Sequence, residues 1–132
     1  VAVLSDGNLI GGSAPGAGNL ISGNGSANVV GQGLAVNGDT NTIEGNIIGL
    51  SADGVAKLGN GRGVEIQGSM NVLGGPATGA GNVISGNTGV GLAVVCAVKG
   101  YTLATRALAA NCCSSCPQAS MRFAAAWASA AC

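Results

Sequence analysis

The sequence predicts an all-β solenoid, in which short strands wind into coils that stack along one axis. Three observations favour this fold class: a duplicated block, short strand-like phrases, and turn residues between them. The block at residues 8–24 returns at residues 71–87 without a gap, with apolar residues replacing apolar ones and turn residues replacing turn residues. The offset from Asn8 to Asn71 is a constant 63 residues. Self-similarity at a fixed spacing is the signature of a repeat architecture.

Two short phrases predict the strands of this solenoid. One reads Asn-x-Ile-x-Gly-Asn, and the other alternates between apolar and small or polar residues. The phrases begin at Asn19, Asn41 and Asn82 and at Gly33, Gly63 and Gly91, respectively. Alternation with period two in runs this short is typical of half-buried strands. The residues predicted to point inward are Leu34, Val36, Ile43, Ile48, Val64, Ile66, Ile84, Leu92 and Val94, and those predicted to point outward are Ala35, Glu65 and Ala93.

The residues between the phrases predict sharp turns and favour a parallel β-helix. All but one of the 25 glycines precede residue 97, and glycine and asparagine both tolerate positive φ. A β-sandwich would need longer strands and aromatic residues, and a leucine-rich repeat would need regularly spaced leucines. We therefore predict a parallel β-helix of about four coils in residues 1–95, each stacked about 4.8 Å from the last. Equivalent asparagines such as Asn19, Asn41, Asn71 and Asn82 should form hydrogen-bonded ladders.

Three phrases resemble a known family. They are Asn-Val-Ile-Ser-Gly-Asn at residues 82–87, Gly-Val-Glu-Ile-Gln-Gly at 63–68 and Gly-Ala-Gly-Asn at 79–82. They are similar to the right-handed parallel β-helix repeats of large secreted and cell-surface bacterial proteins, a family that shares the pectin-lyase-like fold of pectate lyases and polygalacturonases. The resemblance covers roughly residues 7–95. The resemblance implies a right-handed parallel β-helix in an extracellular or cell-surface protein. The shared residues are corner and core residues rather than catalytic ones.

Residues 96–132 form an atypical tail, rich in alanine, that also holds every cysteine and aromatic residue. We expect this tail not to continue the coil. Met121 to Ala131 suit a short helix, with Phe123 and Trp127 one turn apart. Two interpretations stay open: a helical cap over the open end of the solenoid, and sequence that is not native coding sequence. The cysteines, which favour disulfides or free thiols over a zinc site, are Cys96, Cys112, Cys113, Cys116 and Cys132.

Composition argues against several function classes. Five Lys and Arg residues balance five Asp and Glu residues, so the clustered positive charge that nucleic acids require is missing. No apolar run approaches the roughly 18–20 residues of a membrane span. Histidine, the commonest general base, is absent, so no Ser/His/Asp or Cys/His triad is possible. We expect no nucleic-acid partner, no membrane span and no required cofactor.

The acidic residues offer two weak candidate sites. Glu44 and Glu65 lie in successive strand phrases and would form a carboxylate pair if they shared one face, as glycosidases require. Arg62 lies near them in sequence and is suited to a uronic acid carboxylate. Asp39, Asn41 and Glu44 place oxygen ligands close together, which suits calcium. An outward charge in a strand and an ordinary Asp/Asn turn are the simpler interpretations of these two groups.

The function predicted from these features is a non-enzymatic structural or adhesive repeat segment of a secreted or cell-surface protein. Its stacked coils would offer a long flat face to polysaccharide or to other cell-surface components. The alternative is a fragment of a carbohydrate-active enzyme, either a polysaccharide lyase or a glycoside hydrolase. A third possibility is ice binding, which needs ranks of threonine, and only Thr40 and Thr42 come close.

Overall fold

A computed structural model describes residues 1–25 and 31–95, and beyond them the backbone of residues 102–104, 112–113 and 122–123. Every regular element in these described residues is a β-strand, and none is a helix. The strands are β1 (Ala2–Val3), β2 (Leu9–Gly11), β3 (Leu20–Ile21), β4 (Gln32–Val36), β5 (Thr42–Glu44), β6 (Ile47–Ile48), β7 (Arg62–Ile66), β8 (Val72–Gly74), β9 (Val83–Ile84), β10 (Leu92–Val94), β11 (Thr102–Ala104), β12 (Cys112–Cys113) and β13 (Arg122–Phe123).

The strands form three parallel sheets. Sheet A has the order β1-β4-β7-β10-β12, sheet B has β13-β11-β8-β5-β2, and sheet C has β3-β6-β9. From β1 to β9 the chain visits sheets A, B and C in turn, and we call each such triplet of strands a rung. Rung 1 is β1–β3, rung 2 is β4–β6 and rung 3 is β7–β9. The all-β architecture with parallel stacking is consistent with a β-helix-like solenoid.

The core consists of aliphatic side chains that stack on one another in successive rungs, between the three sheets. In sheet B, for example, Ile10 pairs in register with Ile43, and Ile43 pairs with Leu73. Eight of the nine predicted inward residues are buried, and Val94 is partly buried and packs against the same cluster. Sequence reasoning missed Ile21 and Leu73, which also lie in this core.

The duplicated blocks occupy equivalent places two rungs apart. The first block contains β2 and β3, and the second contains β8 and β9. In sheet B the strands of rung 2 separate them, with Ile10 paired to Ile43 and Ile43 to Leu73. The two blocks therefore lie two strands apart in both sheets, an order that agrees with the predicted stacking along one axis. Rung 2 differs from its neighbours because only Gly45 and Asn46 separate β5 from β6.

Asparagine ladders run along three corners of the molecule. In each ladder the asparagine of one rung donates its backbone N–H to the Oδ1 of the asparagine in the next rung. The sheet B ladder contains Asn8, Asn41 and Asn71, the sheet C ladder contains Asn19, Asn46 and Asn82, and the third ladder contains Asn24, Asn60 and Asn87. The predicted ladders are confirmed, but the four asparagines named from the sequence divide between two of them.

Strands in the tail correct part of the sequence-based expectation. β11 pairs in parallel with β8, β12 with β10, and β13 with β11, so the expectation that the tail would not continue the coil is wrong for these residues. The predicted helix is wrong at Arg122 and Phe123, which are in β13. The physical reason is that β8 and β10 would otherwise leave unpaired backbone groups, which short extended segments can satisfy. Trp127 and the remainder of the predicted helix lie outside the described residues.

Candidate functional site on the outer face of sheet A

Glu65 lies at the centre of the outer face of sheet A. It sits in β7 between Val64 and Ile66, which point into the core, so period-two alternation turns Glu65 outward. Its register partners in the adjacent strands are Ala35 in β4 and Ala93 in β10. The two alanines are too short to reach over the carboxylate, so polar side chains from further along the strands surround it instead.

Three side chains donate hydrogen bonds to the Glu65 carboxylate. Gln67 Nε2 donates to Oε1 at 2.6 Å, and Gln32 Nε2 donates to Oε2 at 2.5 Å. Arg62 Nη1 donates to the same Oε2 at 2.8 Å and forms an ion pair with it. Gln32 comes from the neighbouring strand β4 and Arg62 from β7 itself, whereas Gln67 directly follows the last residue of β7. Both carboxylate oxygens are therefore engaged.

These contacts decide the charge state of Glu65. Burial raises the pKa of the carboxyl, but hydrogen bonds from Gln67 and Arg62, the positive charge of Arg62 and the hydrogen bond from Gln32 outweigh it. The net result is a pKa below the usual value of 4.5. Glu65 is thus ionised at neutral pH, although the residue is only 8% exposed. A general acid requires the opposite shift, so this carboxylate is suited to holding its neighbours in place rather than to donating a proton.

The groups that surround Glu65 retain hydrogen-bonding capacity. The Arg62 side chain is 46% exposed, and its ion pair uses one nitrogen of a guanidinium that carries five N–H donors. The Oε1 atoms of Gln32 and Gln67 have no hydrogen-bond donor among the described residues. The site can therefore both donate to and accept from a ligand that lies across sheet A.

The two candidate catalytic carboxylates do not share a sheet. Glu44 ends β5 in sheet B, where it pairs in register with Gly11, whereas Glu65 is in sheet A. Glu44 and Glu65 therefore do not share one face, because the Asn-x-Ile-x-Gly-Asn phrase of Glu44 and the alternating phrase of Glu65 form different sheets. Arg62, which was expected to bind a uronic acid carboxylate, instead forms an ion pair with Glu65.

The residues proposed for calcium are engaged in turns and in a ladder. Asp39 Oδ1 accepts the backbone N–H of Ser69 at 2.7 Å. Asn41 is fully buried, and its Oδ1 accepts two hydrogen bonds from Asn8. Glu44 is half-buried at the end of β5. The structure therefore gives the oxygens of Asp39 and Asn41 a role in holding adjacent rungs together.

The carboxylates of the other two aspartates, Asp6 and Asp53, also accept hydrogen bonds in turns. Asp6 Oδ1 accepts the backbone N–H of Asp39 at 2.7 Å, which ties the same corner of rungs 1 and 2 together. Asp53 closes the exposed loop after β6, where it accepts the hydroxyl of Ser51 and, at 3.0 Å, the N–H of Val55. These two bonds, the hydroxyl first, lower the pKa of Asp53. The aspartates are thus used as structural acceptors.

Sequence reasoning missed Gln32 and Gln67 as members of the site. Gln67 could have been found, because it lies two residues from Glu65 and so on the same face of an ideal strand. Gln32 could not, because its contact with Glu65 depends on the register that pairs it with Arg62. No group of three or more Cys, Asp or Glu side chains within residues 1–25 and 31–95 is arranged to hold a metal ion.

No known protein family matches this chain, and no curated protein or solved structure matches it either. Among the described residues no helix is long and apolar enough to cross a membrane.

Proposed function

We propose that residues 1–95 are a right-handed parallel β-helix segment of about four coils, with a pectin-lyase-like fold, in a secreted or cell-surface protein. Its role is structural and adhesive rather than enzymatic. The outer face of sheet A, centred on Glu65, contacts polysaccharide. The observation that supports this most directly is the ionised carboxylate of Glu65, which accepts hydrogen bonds from Gln32, Arg62 and Gln67 and holds them in fixed positions.

The same geometry favours binding over hydrolysis or elimination. A glycosidase needs two carboxyl groups about 5–10 Å apart, one of them able to donate a proton. Glu65 has a lowered pKa, and the other candidate, Glu44, belongs to sheet B. Fixed amide and guanidinium groups, in contrast, are the planar polar groups that orient a ligand within a binding site.

The register also favours adhesion over ice binding. Ice binding would need threonines at the same place in successive rungs. Thr42 pairs with Leu9 in rung 1 and with Val72 in rung 3, so it stands between two aliphatic residues. Thr40 is in the same rung as Thr42 and occupies a corner with φ of 55°.

Binding to immobilised polysaccharides tests the proposal. The whole chain is expected to be retained on a polysaccharide matrix, and a variant that combines Gln32→Ala with Gln67→Ala should lose most of this retention. Lys57→Ala is the control, because Lys57 is exposed in the loop after β6 and does not contact the site. Equal retention of the double variant and the parent chain would contradict binding through sheet A.

Activity measurements on the same polysaccharides separate the two functional classes. We expect neither new reducing ends nor unsaturated products from the parent chain. Product release that disappears in Glu44→Gln or in Glu65→Gln would show that the protein is an enzyme. Release that persists in both variants would instead indicate a contaminating activity in the preparation.

A further inference from the structure

We propose that Glu65 makes the sheet A site selective for neutral glycans, because its carboxylate compensates the charge of Arg62, the one group among the described residues of the site that would attract uronic acids. This inference rests on the proposed function, since it assumes that the face contacts polysaccharide. It adds the chemical class of the ligand and names the residue that decides it.

The argument begins with the charge of the site. Arg62 is the single cation of the site among the described residues, and the ion pair with Glu65 at 2.8 Å compensates that charge. Arg62 keeps N–H groups for a second acceptor, but the charge that would attract a uronate to them is already compensated by Glu65. A second carboxylate close to the first is also repelled by it.

Glu65 is firmly held in this position, so a ligand cannot easily displace it. Its carboxylate accepts from Gln32 and Gln67 as well as from Arg62, and the residue is 8% exposed. Removing Glu65 from Arg62 would leave a nearly buried carboxylate with fewer partners, which is costly. The ion pair is therefore a fixed feature of the site.

The hydroxyl groups of a neutral sugar are complementary to the donors and acceptors of the site that Glu65 leaves free. A hydroxyl both donates and accepts, and the site offers amide oxygens of Gln32 and Gln67 beside the unused N–H groups of Arg62. None of these contacts requires a net charge on the ligand. A neutral polysaccharide can therefore bind without competing with Glu65.

Two variants test whether Glu65 decides this selectivity. The full chain is compared with Glu65→Gln, which retains the shape of the side chain and releases the charge of Arg62. The probes are a neutral β-glucan and polygalacturonate, each set in a gel that retards a bound protein. We expect the parent chain to be retarded by the glucan and not by polygalacturonate, and Glu65→Gln to bind polygalacturonate at least about tenfold more tightly than the parent. The gained binding should weaken as salt is added.

The control combines Glu65→Gln with Arg62→Gln, which should abolish the gained binding. If Glu65→Gln fails to fold, Glu65→Ala replaces it, because alanine occupies the paired position in both adjacent strands. A parent chain that binds polygalacturonate as tightly as the folded variant would overturn the inference. So would a folded variant that gains nothing.

The outcome for the parent chain on neutral glycan distinguishes this inference from the proposed function. If the parent binds neither probe while Glu65→Gln gains polygalacturonate binding, the adhesive function fails but the control of Arg62 by Glu65 stands. If the parent binds the glucan and the variant gains no uronate binding, the adhesive function stands and the role of Glu65 fails.

Discussion

Asn41 and Asn46 show that the same residue, equally buried, can be used in different ways. Both side chains are fully buried, and the Oδ1 of each accepts two hydrogen bonds from the preceding rung. Asn46 Nδ2 donates to the backbone oxygens of Ile10 and Glu44 and to Oδ1 of Asn82, whereas Asn41 Nδ2 has no hydrogen-bond partner among the described residues. A buried N–H donor without a partner lowers the stability of the folded state, because it has lost its hydrogen bonds to water and formed none in the protein.

We expect this difference to appear in stability. Asn46→Ala should lower the free energy of unfolding by about 2–3 kcal/mol, because it leaves buried donors and acceptors unpaired on both sides. Asn41→Ala should cost about 1 kcal/mol less, because its Nδ2 loses nothing. Urea denaturation of both variants measures the difference, and Asn37→Ala, at an exposed position, serves as the control. An equal loss in the two ladder variants would contradict the expected role of the Nδ2 bonds.

Glu65 predicts a dependence of stability on pH. Its pKa is lower in the folded state than the usual 4.5, so the folded state binds a proton there less readily than the unfolded chain does. The stabilisation is therefore complete above the unfolded value and is lost as the pH falls through the folded value. Because the Arg62 side chain is 46% exposed, we expect this stabilisation to contribute about 1 kcal/mol or less to the free energy of unfolding.

The measurement compares the parent chain with Glu65→Gln by urea denaturation between neutral pH and pH values well below 4.5. The difference in unfolding free energy between the two proteins should shrink as the pH falls. A constant difference over this range would show that the carboxylate is not preferentially ionised in the folded state.

At the scale of the strands, the sequence predicted the core but not the assignment of phrases to sheets. Apolar alternation identified Leu34, Val64 and Leu92 as inward residues, because burial of one face determines a period-two pattern. The phrase Asn-x-Ile-x-Gly-Asn, however, begins at Asn19 in sheet C and at Asn41 in sheet B. Two corners of the solenoid use the same turn chemistry, so the phrase alone cannot tell them apart.

The corner between β5 and β6 is closely packed against both adjacent rungs. Gly45 has φ of +67°, and a Cβ placed there would lie 2.2 Å from the carbonyl oxygen of Gly12 and 3.0 Å from that of Gly79. The loops of the two duplicated blocks therefore press on this corner from both sides. Gly54, in the exposed loop after β6, has a similar φ of +73° with no neighbouring atom within 4 Å.

These two glycines make a matched pair of substitutions. Gly54→Ala should cost about 1–2 kcal/mol, which is the strain of the left-handed conformation alone. Gly45→Ala should cost more than this, because the added methyl group also displaces the backbone of an adjacent rung. Thermal unfolding of both variants gives the comparison. If the two substitutions cost the same, the packing of the duplicated loops against Gly45 does not contribute.

At the scale of the whole molecule, the rungs differ in how many neighbours they have. β1, β2 and β3 are edge strands with one partner each, whereas β4, β5 and β6 have a strand on either side. Leu9 and Leu20 of rung 1 are 63% and 49% exposed. Their register partners in rung 2, Thr42 and Ile47, are only half-exposed. In a solenoid each repeat contacts only its neighbours, so local stability should follow these differences.

We therefore expect amide hydrogen exchange to report rung 1 opening before rung 2. The amide hydrogens of β4–β6 should exchange at least about tenfold more slowly than those of β1–β3, after correction for intrinsic rates, because opening rung 1 breaks contacts on one side only. Asn19→Ala removes the side-chain bond from Asn19 to Asn46 at 3.0 Å, so it should accelerate exchange in rung 1 and leave rung 3 unchanged. If rung 1 exchanges as slowly as rung 2, and Asn19→Ala accelerates every rung equally, the rungs open as one cooperative unit. In that case the ladders couple the rungs more strongly than nearest-neighbour contacts do.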